Sequence, residues 1–152
     1  MKNFGVIELT NDQFNNIISN LSEDLFLHFK DKQNNDYLFC HGVENGLVYL
    51  PSTKMLITAD MAYDICTKRG YIENGQNLSI ICCYGKQVST CKYYNNNKNI
   101  SFINKTDMPL RGTFHRTKNG DGKFVYYSSN KKSFIGEIKR LLVGGTEMYA
   151  HN

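Results

Sequence analysis

The segment Asn77-Leu78-Ser79-Ile80-Ile81-Cys82-Cys83, held between Gly75 and Gly85, constrains this chain more than any other. A run so apolar and so short, bounded by glycines, reads as a strand in the middle of a sheet, covered on both faces. Ahead of it, Thr58 precedes Ala59-Asp60-Met61-Ala62-Tyr63-Asp64-Ile65-Cys66, and Lys68-Arg69 stand before Gly70. An N-cap residue, an early acid, late bases and a closing glycine are helix start and stop signals. Further back, Tyr37-Leu38-Phe39-Cys40 is another strand-length apolar run. The order is strand, helix, strand, and a helix of that length is a sufficient crossover for two parallel strands of one sheet.

The remaining segments extend this pattern. Phe4 to Leu9 reads as a strand; Thr10 or Asn11 caps a helix with Phe14, Ile17, Ile18 and Leu21 on one face, ending near Asn20. Leu25 to Phe29 is a strand separated from Tyr37 to Cys40 by a polar turn, and Leu47 to Leu50 is a strand stopped by Pro51. In the second half, Ile100 to Ile103, Thr113 to Arg116 and Phe124 to Tyr127 read as antiparallel strands, the last two joined by the hairpin signal Asn119-Gly120-Asp121-Gly122. Ser133 to Leu142 reads as a closing amphipathic helix ended by Gly144-Gly145. The expected fold class is α/β: a three-layer sandwich with a mostly parallel central sheet from the first half and an antiparallel C-terminal extension.

Length and composition bound the function classes. At 152 residues, with two prolines and no Pro/Ser/Gly-rich linker, residues 1–152 are expected to form a single domain. No apolar run approaches the roughly 18 residues needed to cross a bilayer, and Met1 to Phe14 lacks a signal-peptide apolar block, so a cytoplasmic protein without membrane contact is expected. The five cysteines (Cys40, Cys66, Cys82, Cys83, Cys91) are odd in number and contain no CxxC pair, which favours reduced thiols over a disulfide framework or a zinc site. No metal or other cofactor is expected.

Chemistry enters at the ends of the two strongest strands. Leu38-Phe39-Cys40-His41-Gly42 and Ile80-Ile81-Cys82-Cys83-Tyr84-Gly85 each place a reactive side chain just past an apolar strand, where open α/β sheets form their binding crevices. If the strands lie parallel, His41 and a cysteine become neighbours. A thiol becomes a useful nucleophile as thiolate, and a nearby imidazole takes its proton and later returns one to the leaving group. Gly42 permits close approach to a substrate carbonyl, so its N–H and that of the cysteine could form an oxyanion hole. Alternation along the strand forces one of Cys82 and Cys83 into the core and leaves the other facing elsewhere.

In residues 36–88 this chain resembles the caspase-like cysteine peptidases, the clan that includes caspases, gingipains, separases and CHAT-type peptidases. The resemblance lies in an apolar strand ending in His-Gly, followed by one ending in Cys-x-Gly. It implies His41 as general base and acid, Cys83 as nucleophile, and the amides of Gly42 and Cys83 as oxyanion donors, acting on a peptide or protein substrate. Cys82 is the alternative nucleophile, because Cys82 to Gly85 has the Cys-x-x-Gly spacing that related sequences also show. Tyr84, Gly85 and Val43 to Gly46 are expected to line the cleft. No residue that would select a particular side chain at the cleavage position is identifiable.

Charge offers a competing reading. Residues 1–90 carry 7 Lys+Arg against 10 Asp+Glu, while residues 91–152 carry 11 against 4. The basic half, with Arg111, Arg116, Lys118, Lys123, Lys131, Lys132, Lys139 and Arg140 among its cations and Tyr93, Tyr94, Tyr126 and Tyr127 available to stack, fits a non-enzymatic module that contacts nucleic acid or an acidic partner. Cys40, Cys66 and Cys91 are read as packing residues, His28 as a satisfied sheet histidine, and His115 and His151 have no evident partner in sequence.

Overall fold

A computed structural model describes residues 4–21, 25–94, 97–104, 106–128, 138–143 and 146–151. In chain order the elements are β1 (Phe4–Leu9), α1 (Asn11–Asn20), β2 (Phe26–Lys30), β3 (Asp36–Gly42), β4 (Val48–Leu50), β5 (Met55–Ile57), α2 (Ala59–Lys68), β6 (Leu78–Ile81), α3 (Gly85–Ser89), β7 (Ile100–Phe102), β8 (Leu110–Arg116), β9 (Gly122–Ser128), β10 (Ile138–Val143) and β11 (Thr146–His151). Among the described residues the fold is mixed α/β, with two sheets and few helices.

Both main helices begin where their capping chemistry dictates. Thr10 Oγ1 accepts the Gln13 N–H at 3.1 Å while Gln13 Oε1 takes the Thr10 N–H at 2.9 Å, a reciprocal capping box that opens α1. Thr58 Oγ1 accepts the Met61 N–H at the start of α2, and Lys68 lies in its last turn.

The first sheet runs β5-β4-β3-β6-β7, with β2 also paired to β3. It is mixed rather than mostly parallel: β3·β6 and β6·β7 are parallel, while β2·β3, β3·β4 and β4·β5 are antiparallel. The reason is connection length. Only a few residues separate β2 from β3, β3 from β4 and β4 from β5, and such links permit only antiparallel neighbours, whereas α2 supplies the crossover that β6 needs. β7 pairs parallel to β6, not antiparallel as expected from sequence.

The second sheet, β1-β9-β8-β11-β10, is antiparallel throughout. β1 belongs here and not to the first sheet, pairing with β9 along its whole length. The helix expected over Ser133 to Leu142 is also corrected: residues 138–143 are strand β10, paired with β11, and 133–137 lie outside the described residues. Two strand-length segments flanking Gly-Gly are a hairpin signal that the helical pattern obscured.

Two cores result, one on each face of the first sheet. On one face Leu38, Cys40, Ile80 and Cys82 pack with Ala62, Tyr63 and Cys66 of α2 and Val88 of α3. On the other, Tyr37, Phe39 and Ile81 meet Phe114 of β8, Phe124 of β9, and Phe14 and Ile17 of α1. Among the described residues no helix is long and apolar enough to cross a membrane.

The turn from β2 to β3 is built on one carboxylate. Asp31, 4% exposed, accepts the Gln33 and Asn35 N–H groups on Oδ1 at 2.9 Å each, and Asn35 Nδ2 (3.1 Å) and the Tyr37 hydroxyl (2.8 Å) on Oδ2. Burial pushes this carboxyl up, but the Asn35, Tyr37 and Gln33 donors outweigh it and hold it below its ordinary value. A depressed folded pKa stabilises fully above the unfolded value of about 3.9, and that contribution disappears as pH falls through the lower folded value. Asp31→Asn is therefore expected to cost about 1–3 kcal/mol at pH 7. It should also flatten the loss of stability below about pH 4, as measured by urea denaturation at a series of pH values.

Candidate functional site

The parallel register Tyr37↔Ser79, Leu38↔Ile80, Phe39↔Ile81 sets the site. Past the end of β6, Cys40 meets Cys82, and the same alternation continued one step would put His41 opposite Cys83. Alternation then sorts the side chains. Cys40 and Cys82 lie in the core under α2, 2% and 1% exposed, and their thiols share a hydrogen bond that, with burial, raises Cys40 well above an ordinary thiol. Cys83 packs instead against the core between the sheets. His41, 4% exposed, follows Tyr37 and Phe39 in parity and so belongs to that same side. Of the two candidate nucleophiles, Cys83 is on the histidine's side and Cys82 is sealed in the opposite core.

The two glycine turns meet. Against the Cα of Gly42 lies the Cys83 carbonyl oxygen, with Cys82 Sγ beside it, so a Cβ at 42 would collide with the main chain of the facing turn. Tyr84 adopts the left-handed conformation (φ 54°), which turns the chain from β6 into α3. Its hydroxyl donates to Glu44 Oε1 at 3.2 Å, tying the Cys-Tyr-Gly turn to the loop after His-Gly. Gly46 in that loop (φ 86°) abuts the Gln87 carbonyl of α3. The residues expected to line a cleft are thus in mutual contact.

Cys83 is not a poised thiolate. Its Sγ accepts the Leu110 N–H at 3.1 Å and lies 3.5 Å from the Leu110 carbonyl oxygen, to which the thiol donates. Burial pushes the thiol up to about 11, against a smaller lowering by the Leu110 N–H, with Cys82 raising it further. Residues 106–110 lie over the turn as a strap: Tyr84 N–H donates to the Met108 carbonyl at 3.0 Å and Lys86 N–H to the Thr106 carbonyl at 3.2 Å. Half-buried and bonded to the Leu110 main chain, the sulfur is held away from the thiolate form in this arrangement.

Sequence reasoning did not find this strap. It follows β7, whose parallel pairing delivers Asn104 to the same rim as His41 and Cys83; taking β7 as antiparallel sent that end to the other edge. The signal available was Ile100 to Phe102, an apolar run one crossover beyond the Cys-x-Gly turn.

The other candidates resolve as packing or surface. His28 Nε2 lies 2.7 Å from Asp36 Oδ1, and Tyr71 stacks on its ring at 5.1 Å. Cys66 is fully buried and pushed up to about 12, chiefly by burial. Arg116 is used internally, donating to Asn11 Oδ1 at 2.7 Å and lying 4.5 Å over the Phe14 ring. Lys118 and Lys123 line an open groove of about 430 Å³ with Lys32, Glu8 and Asp121. Lys131 and Lys132 lie outside the described residues. Among the described residues no three His, Cys, Asp or Glu side chains are grouped to hold a metal ion.

No protein-family model matches the sequence, and neither curated proteins nor solved structures give a match. The resemblance to caspase-like peptidases therefore rests on the sequence motifs in residues 36–88 alone.

Proposed function

We propose that this chain is a thiol-dependent hydrolase of caspase-like type, its first sheet the counterpart of that family's central sheet, with Cys83 as nucleophile and His41 as the proton carrier. The observation that supports the reading is the parallel β3·β6 register, Tyr37↔Ser79 to Phe39↔Ile81; continued two residues along each chain, it would bring His41 and Cys83 to one rim and one side of the sheet. In the reaction Cys83 Sγ loses its proton to the imidazole and bonds to a peptide carbonyl carbon. The C–N bond then breaks as His41 returns the proton to the departing amine, and water hydrolyses the thioester. Because the resting thiol is bound to the Leu110 main chain, turnover requires the strap of residues 106–110 to move off the sulfur.

Hydrolysis of a fluorogenic peptide panel by the purified chain tests this. Turnover is expected, to be lost in Cys83→Ser and in His41→Ala and kept in Cys82→Ser. A folded chain that cleaves no peptide, or activity that survives Cys83→Ser, overturns the reading. The competing assignment, a module that takes nucleic acid or an acidic partner, is supported by the lysines of the open groove. It predicts steeply salt-dependent retention on heparin that Cys83→Ala leaves unchanged.

A further inference from the structure

Asn104, 4% exposed, is a polar residue of this rim whose side-chain amide is only partly hydrogen-bonded. Its Oδ1 accepts the Thr106 hydroxyl at 2.8 Å and the Ser128 hydroxyl at 3.4 Å, while its buried Nδ2 has no acceptor. Exchanging the amide's oxygen and nitrogen does not cure this, since the two hydroxyls would then receive N–H and the oxygen would be the orphan. A buried amide left half satisfied is costly, and its retention calls for an occupant.

The location says what kind. The Asn104 main-chain oxygen lies against the Cα of Gly85, the glycine of the Cys-x-Gly turn. Ser128, which holds the Asn104 amide, is the cross-strand partner of Leu110, whose main chain holds Cys83 Sγ. The Asn104 side chain and the Cys83 thiol are thus each held by one member of a single cross-strand pair. An N–H donor with nothing to donate to, tied through that pair to a candidate nucleophile, fits a carbonyl oxygen.

We propose that Asn104 donates its Nδ2 hydrogen to the carbonyl oxygen of the group that Cys83 attacks, adding a side-chain donor to the backbone amides. The assignment rests on the thiol-hydrolase reading above and identifies the substrate as carbonyl-bearing.

Two thiol reagents separate this role from simple access. Iodoacetamide carries a carbonyl next to the carbon attacked: the S–C bond forms, C–I breaks, iodide departs and the thiol proton leaves. Methyl methanethiosulfonate offers no carbonyl: the S–S bond forms and methanesulfinate departs. Both need the same opening of the strap. Cys83 labelling rates are read by peptide mass spectrometry in the wild type, Asn104→Asp, Asn104→Ala and His41→Ala. Asn104→Asp keeps an acceptor for Thr106 and Ser128 and removes the N–H2.

Both Asn104 variants are expected to slow iodoacetamide about tenfold while the thiosulfonate rate stays within roughly twofold. Thr106→Val, which removes a partner of Oδ1 and leaves the N–H2, should keep the wild-type ratio of the two rates even if it lowers the melting temperature. Equal slowing of both reagents, or no slowing of either, overturns the assignment. Rates in His41→Ala that match the wild type, with the Asn104 selectivity intact, would sink the histidine's role and leave this donor standing.

Discussion

Gly42→Ala is expected to destabilise the chain by about 3 kcal/mol, at the high end for overpacking. The reason is what the new methyl group meets. Its nearest neighbour is the Cys83 carbonyl oxygen, followed by the Cys83 carbonyl carbon and Cys82 Sγ, so most of the obstruction is main chain that cannot rotate away. Relief requires the Cys-Tyr-Gly turn to move off β3, which would also strain the Tyr84–Glu44 hydrogen bond. Chemical denaturation of the variant should show a lower midpoint with an unchanged slope. A variant as stable as the parent would mean that the His-Gly and Cys-x-Gly turns are not in contact.

Phe124→Ala is expected to cost more, about 3–5 kcal/mol, a large share of the roughly 5–15 kcal/mol that holds a domain together. Phe124 is fully buried on β9, and its ring meets Phe39 at 4.9 Å and Phe29 at 5.9 Å from the first sheet, and Phe114 at 4.5 Å from its own. Gly112 clears the space, since a Cβ there would run into the Phe124 ring. Removing the ring leaves a cavity walled by both sheets. Thermal unfolding measures the loss. Tyr93→Ala, at a residue 62% exposed, should change stability by less than about 0.5 kcal/mol. Equal effects from the two substitutions would contradict face-to-face packing of the sheets.

The parts of the fold legible in the sequence are those that local chemistry decides. Thr58 and the Lys68-Arg69-Gly70 stop set α2, Thr10 sets α1, and the Asn-Gly-Asp-Gly turn joins β8 to β9, because a cap or a turn involves only neighbours in the chain. Strand partners were less legible. Nothing within Phe4 to Leu9 says that it pairs with Gly122–Ser128, over a hundred residues away, and the Leu141-Leu142 pair suits a helix face as well as a strand. The choice between Cys82 and Cys83 was half legible: alternation requires them to face opposite ways, but only the cores show which faces His41. Burial of the Cys83 thiol was not legible, since it comes from Leu110, on a strand of the other sheet.

The pairing of His41 with Cys83 is tested most directly by covalent trapping. In a chain carrying Cys40→Ala, so that Cys82 loses its native thiol partner, His41→Cys places a second sulfur at the end of β3. Adjacent parallel strands hold facing Cα atoms within the 4.4–6.8 Å, in round figures about 5 Å, that a disulfide spans. Mild oxidation followed by peptide mass spectrometry is expected to show position 41 linked to Cys83. Linkage to Cys82 instead, or two free thiols after oxidation, would contradict the register on which the proposed chemistry stands.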